Sequence, residues 1–180
     1  MNLAPTSIPG VFVVTPAVRD DERGAFIRLF GREEFEEQGL SGHVEQVALS
    51  TNTVAGTVRG LHYQLPPLAE TKLVRCTQGS ILDVAVDLRV DSPTFASWFG
   101  VELTATGHRA LWIPQGCAHG FQTLTDHTHV LYQIGASYDP DLQRGIHHED
   151  PQVGVQWPLP VSRISERDAG LPTLEDAELP

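Results

Sequence analysis

Hydrophobic residues along the chain come in short runs separated by glycine, proline and other turn formers. The segments "VFVVTP" (11–16), "TKLVRCTQ" (71–78), "SILDVAVDL" (80–88), "SWFGVEL" (97–103), "RALWIP" (109–114) and "HVLYQIGASY" (129–138) are rich in β-branched and apolar residues. Their composition and punctuation predict strands of about five to eight residues. Within 80–88 the alternation is regular. Ile81, Asp83, Ala85 and Asp87 fall on one side, and Leu82, Val84, Val86 and Leu88 on the other. Turn signals separate the runs at Gln78-Gly79, Asp91-Ser92-Pro93, Thr106-Gly107 and Pro114-Gln115-Gly116. Only "GREEFEEQGL" carries a helical pattern, from Arg32 to Gln38 with Gly39 as its stop. Many short strands with almost no helix predict an all-β chain, a sandwich or a double-sheet jelly roll.

Length and composition narrow this picture. The 180 residues fit one domain, 1–180, that buries about 70% of its unfolded surface. The acidic stretch at about 171–180 is expected to run loosely over the surface. Net charge is −11, which speaks against a nucleic-acid binder, since that would need a basic face. The two cysteines, Cys76 and Cys117, form no CxxC pair. They predict neither a disulfide framework nor a thiolate zinc site. The N-terminal residues lack the pattern of a signal peptide, and no apolar run approaches the roughly 20 residues that span a bilayer. A cytoplasmic protein that does not engage membranes is expected.

Candidate chemistry centres on "RGLHYQ" and "IPQGCAHGF", which look like the two halves of a cupin-type barrel. The first places His62 where metal-binding cupins carry H-x-H, but position 64 is glutamine. A divalent metal wants three or four good ligands. His62 and His119 supply two, Gln64 is a poor third, and the spacing of Glu70 fits only loosely. No metal site is expected. If the sheet curls, the strands carrying His62, Lys72, His119 and Tyr132 point into one cavity. With Arg59 three residues before His62, a base, two cations and a phenol suit proton abstraction next to a carbonyl.

Four segments, "RGLHYQLPP", "KLVRCTQGSILDVAVDLRVDSPTF", "LWIPQGCAHGFQTLTD" and "GIHHEDPQVGVQWP", together resemble the dTDP-4-dehydrorhamnose 3,5-epimerase family. The resemblance runs from about Gly10 to Pro172. It implies a cupin-like jelly roll (a double-stranded β-helix with a few short helices), a homodimer, and no metal or organic cofactor. The implied substrate is a dTDP- or other NDP-4-keto-6-deoxyhexose, epimerised at C3, C5 or both. His62 matches the family's catalytic base. Asp168, in "ISERDAG", matches the aspartate that pairs with that base, and Tyr132 the acid of the opposite face. Lys72 and Arg59 match groups near the developing oxyanion, and His119 a further cavity-facing histidine. Arg23 matches a pyrophosphate-binding arginine, often supplied across the dimer. Phe26 and Gln46 match positions near the base, and Tyr138 an aromatic that stacks on it.

The sequence departs from the family pattern at three places. Arg28 stands where an acidic residue is usual. "VALSTNTVAG" replaces a stretch with an asparagine and a pair of serines. The usual P-P-H-x-Q-x-K becomes Pro66 to Lys72 with Leu68 and Glu70 in place of the histidine and glutamine. The proton-transfer set is intact while residues that frame the substrate differ. Readings to be separated from epimerisation are 3,4-ketoisomerisation on the same fold and sugar-nucleotide binding without turnover.

Overall fold

The computed structural model describes residues 1–180. In chain order they form β1 (Asn2–Pro5), β2 (Phe12–Thr15), β3 (Val18–Asp21), β4 (Gly24–Ile27), α1 (Arg32–Glu36), β5 (Gln46–Asn52), β6 (Val58–Gln64) and β7 (Lys72–Gln78). There follow β8 (Ser80–Asp87), β9 (Trp98–Thr104), β10 (Ala110–Ile113), β11 (Cys117–Thr123), β12 (Thr128–Ile134), β13 (Gln143–Gly145) and α2 (Glu166–Ala169). One sheet has the order β1-β2-β10-β7-β12-β5, a second the order β13-β6-β11-β8-β9, and β3 and β4 form a separate hairpin. All of these strand pairs are antiparallel. Strands close in sequence alternate between the two large sheets, which is the jelly-roll arrangement expected from the sequence.

The alternation in β8 explains how the layers assemble. Ile81 and Ala85 point between the sheets and pack with Val74, Leu111, Ile113, Phe121 and Val130. Leu82, Val84, Val86 and Leu88 point the other way, onto Leu61, Ile146, Val153, Val155 and Leu174. Both faces of the strand are therefore buried, the second beneath the C-terminal segment. Each fully buried aliphatic side chain contributes about 1.5–3 kcal/mol relative to exposure. The outer face of the six-stranded sheet is covered by α1. Its Phe35 is 5.4 Å, ring to ring, from Trp112 and 5.0 Å from Phe30.

Three expectations need revision. The acidic terminus is tied down: Leu174 is buried, Ala177 and Leu179 pack on the same cluster, and Tyr63 donates a hydrogen bond to the Glu178 carbonyl at 2.6 Å. The apolar periodicity of Leu174, Ala177 and Leu179 outweighs the intervening acids. The strand expected over 129–138 stops at Ile134. Gly135 turns the chain against the Thr71 side chain, where a Cβ has no room, and Tyr138 sits in the loop beyond. The helix expected over Arg32–Gln38 ends at Glu36, with Glu37 as its cap. No helix is long and apolar enough to cross a membrane.

Candidate active site

The site begins with a close approach of two backbones. Gly60 in β6 has φ of +120°, and a Cβ there would lie 2.5 Å from Gly120 Cα and 2.7 Å from the His119 carbonyl oxygen. Only glycine allows β6 and β11 to cross this closely. The register then sets His62 directly opposite His119, beside a bulge between His119 and Phe121. Both imidazoles face the space between the sheets.

Each imidazole is held by a carboxylate. His62 Nε2 is 2.8 Å from Asp168 Oδ1, and the Gly60 N–H donates to Asp168 Oδ2 at 3.2 Å. Asp168 arrives on α2, whose N-cap Ser165 accepts the Asp168 N–H at 3.0 Å. The segment leading to it is fastened to the start of β6 by the bridge between Thr57 and Arg163 and by the Val58 N–H to the Arg163 carbonyl, 2.9 Å. A carboxylate that accepts from Nε2 leaves His62 Nδ1 as the unprotonated nitrogen. In the second pair, His119 Nε2 is 2.7 Å from the fully buried Asp83 Oδ1, while Asp83 Oδ2 has no partner.

The facing sheet supplies a phenol and a cation. Tyr132 on β12 meets the edge of His119 with ring centroids 5.6 Å apart. Lys72 begins β7. Its Nζ is 2.8 Å from Glu70 Oε1 and donates to the His62 carbonyl at 3.2 Å. Arg59 is steadied by a 2.8 Å hydrogen bond from its Nε to Asn52 Oδ1.

His62, Asp168, His119, Tyr132, Lys72, Glu70 and Arg59 line a cavity of about 460 Å³ between the sheets, together with Gln46, Tyr138, Gln143 and Arg167. Of the residues expected at the site, the structure gathers His62, Asp168, Tyr132, Lys72, Arg59, His119, Gln46 and Tyr138. It does not bring Arg23 or Phe26 there. Arg23 lies in the turn between β3 and β4, paired with Asp21, and Phe26 on β4 is 71% exposed. Asp83 was missed by sequence reasoning, although a carboxylate on the inward side of β8 was a visible signal. The sequence offers Glu70 only as a weak metal ligand. Its place at the cavity wall follows from the loop joining β6 to β7.

The donor set does not favour a metal. Both histidine Nε2 atoms already face carboxylates. The Gln64 amide donates to the Leu68 and Ser137 carbonyls and accepts from the Asp139 N–H. It braces the two loops that carry Glu70 and Tyr138. No three His, Cys, Asp or Glu side chains are arranged to hold a metal ion.

Burial works to raise the Asp168 carboxyl, but the hydrogen bond and charge of His62, with the Gly60 and Ser165 bonds, hold it below its ordinary value. Asp83 goes the other way: burial raises it against the pull of His119 and Lys72. Burial and the Asp83 charge hold Tyr132 well above an ordinary phenol, against the opposing field of Arg59. Tyr132 therefore keeps its proton near neutral pH.

A jelly roll whose interior holds a carboxylate-oriented imidazole, a cation and a protonated phenol is a cupin-like fold with a site chemically suited to proton transfer. The dTDP-4-dehydrorhamnose 3,5-epimerase profile matches residues 5–176. The dTDP-4-dehydrorhamnose 3,5-epimerase of Shigella flexneri is 42% identical over 99% of this chain and 98% of its own length. The crystal structure of the Elizabethkingia anophelis enzyme of the same name superposes with a TM-score of 0.94 at 35% identity, covering 98% of this chain and 97% of that one. A Legionella pneumophila 3,5-epimerase in complex with dTDP-4-keto-L-rhamnose superposes with a TM-score of 0.91 at 37% identity, over 97% of this chain and 93% of that one. The chain belongs to the dTDP-4-dehydrorhamnose 3,5-epimerase family, and it is an isomerase of that type.

Proposed function

We propose that the protein epimerises an NDP-4-keto-6-deoxyhexose, dTDP-4-dehydro-6-deoxyglucose in the first instance, at C3, C5 or both. His62 Nδ1 removes a proton from a carbon next to the C4 ketone. The C–H electron pair becomes the enolate double bond, and the carbonyl pair moves onto oxygen. Lys72 and Arg59 hold that oxygen in a cavity where their field is less screened than in water. Tyr132 then gives its proton to the opposite face of the same carbon, and solvent restores both side chains. Nothing is oxidised or reduced. The observation that carries this reading is the placement of the Asp168-held imidazole and the protonated Tyr132 on opposite sheets of one cavity. The Legionella relative bound to dTDP-4-keto-L-rhamnose supports the substrate class. The test is incubation of the purified protein with dTDP-4-dehydro-6-deoxyglucose in D2O. NMR should show deuterium at C3 or C5, inverted configuration, and a carbonyl still at C4. A carbonyl moved to C3 would mean ketoisomerisation. Absence of exchange across a panel of 4-keto sugar nucleotides would sink the proposal.

The same reading includes a cytoplasmic homodimer. Ala48 and Ser50 of β5 line the cavity, and β5 is a sheet edge whose outward Val47 and Leu49 are 65% and 55% exposed. An unpaired apolar edge of this kind invites another chain. In this reading Arg23 and Phe26, which lie outside the chain's own cavity, serve the cavity of the partner. Sedimentation at micromolar concentration should give twice the chain mass, and a monomer would contradict this part of the proposal.

A further inference from the structure

Glu70 is a carboxylate in the wall of a cavity whose reaction, as proposed above, builds negative charge. Its side chain is 11% exposed, and one oxygen, Oε1, is 2.8 Å from Lys72 Nζ. The other oxygen makes no hydrogen bond within the protein, and it is not among the buried atoms left unsatisfied. It is therefore not sealed from solvent, and Glu70 is one of the residues that line the cavity. Lys72 is half committed as well. Its ammonium is in ion contact with Glu70, and one of its three N–H donors serves the His62 carbonyl at 3.2 Å, which leaves donor capacity for a ligand. Glu70 and Lys72 thus present a free acceptor and a free donor side by side.

That pair matches the edge of a hydroxyketone. A carbonyl oxygen accepts from the remaining Lys72 N–H, and a hydroxyl on the neighbouring carbon donates to Glu70 Oε2. In a 4-ketohexose with Lys72 on the C4 oxygen, the neighbouring hydroxyl inside the ring sequence is the one on C3. C5 carries no hydroxyl in the pyranose ring, so the recognition is one-sided. We propose that Glu70 is a specificity-determining residue that accepts a hydrogen bond from the C3 hydroxyl and so selects 4-keto sugars bearing a free hydroxyl there. The inference rests on the epimerase reading and deepens it.

The experiment compares dTDP-4-keto-6-deoxyglucose with its 3-deoxy analogue, read as solvent deuterium incorporated next to the ketone. Both compounds keep exchangeable protons. The wild type should prefer the hydroxylated substrate in kcat/KM by about tenfold to a hundredfold, the range for a hydrogen bond to a charged group. In Glu70→Ala the preference should collapse to within about threefold, because the analogue has no partner to lose. In Glu70→Gln a neutral bond remains, and the preference should fall below about tenfold. Glu70→Gln keeps the size of the side chain and stands in if the alanine variant folds poorly. A wild type that exchanges protons while both variants keep the full preference would overturn the role of Glu70 alone. A wild type that exchanges protons on neither compound would overturn the epimerase reading instead.

Discussion

Replacing Asp168 by asparagine isolates what the carboxylate does for His62. In the wild type, Oδ1 faces His62 Nε2 at 2.8 Å and Oδ2 accepts the Gly60 N–H at 3.2 Å. An amide has only one oxygen to offer. If it stays with Gly60, the NH2 donates to Nε2, and the ring proton must move to Nδ1, the atom that should act as base. The charge that stabilises the imidazolium is lost as well. A hydrogen bond to a charged group contributes about 1.5–3 kcal/mol, and the neutral bond that must break to free Nδ1 adds about 1 kcal/mol. The sum corresponds to a fall in kcat of about two to three orders of magnitude. KM should stay within about threefold, since the substrate-facing groups are untouched. The assay is initial-rate NMR of proton exchange in D2O. The Gly60 bond survives, so folding should lose no more than about 1 kcal/mol, a shift in Tm of about 2–4 °C. A kcat reduced by less than threefold, with the melt intact, would refute the assignment of Asp168 as the residue that positions the base.

Tyr132→Phe should divide the reaction in two. Exchange at the His62 face should continue, while formation of the inverted product falls by about 10²–10⁴-fold. Equal losses in both readouts would remove Tyr132 from the second step. A stability prediction concerns Asp87, which accepts from Arg89 Nε at 2.7 Å, Ser92 Oγ at 2.5 Å and Thr94 Oγ1 at 2.6 Å. Burial alone would raise its carboxyl, but these bonds hold it down to about 2, from an ordinary 3.8. A depressed carboxyl stabilises the fold above the unfolded value, and that contribution, about 2 kcal/mol, is lost as pH falls from about 4 to about 2. Asp87→Ala should cost about 3–5 kcal/mol in urea melts at neutral pH, and it should lose less than the wild type on acidification. Parallel acid losses in the two proteins would show that the bonds to Asp87 contribute little.

The sequence was legible where one physical force dominated. Apolar runs and turn formers located six strands, and Phe35 with its acidic neighbours located α1. Strands β6 and β11 were harder to read, because Gly60, His62, Gln64, His119 and Gly120 interrupt their apolar patterns. Those interruptions are the site itself, and position in the fold, not propensity, makes these residues extended. Asp168 was readable only through family resemblance, since "ISERDAG" looks like solvated surface until the Thr57–Arg163 bridge folds it back. Asp83 sat in plain view on the inward side of β8, yet alternation cannot say which face is inward. The Glu70–Lys72 pair depends on how a loop closes, which local composition does not encode. Arg23 and Phe26 are assigned to the site through family resemblance alone, and in this chain they lie on an exposed hairpin away from the cavity.

The contact between Gly60 and Gly120 has a consequence for how this scaffold could diversify. Because two bare backbones touch there, the separation of the two imidazoles is fixed by main-chain geometry and not by whichever side chains surround them. The far wall, built from β5 and from loops, is free of that clamp. Mutations there can alter the shape of the cavity without moving the main-chain contact that sets the two imidazoles apart.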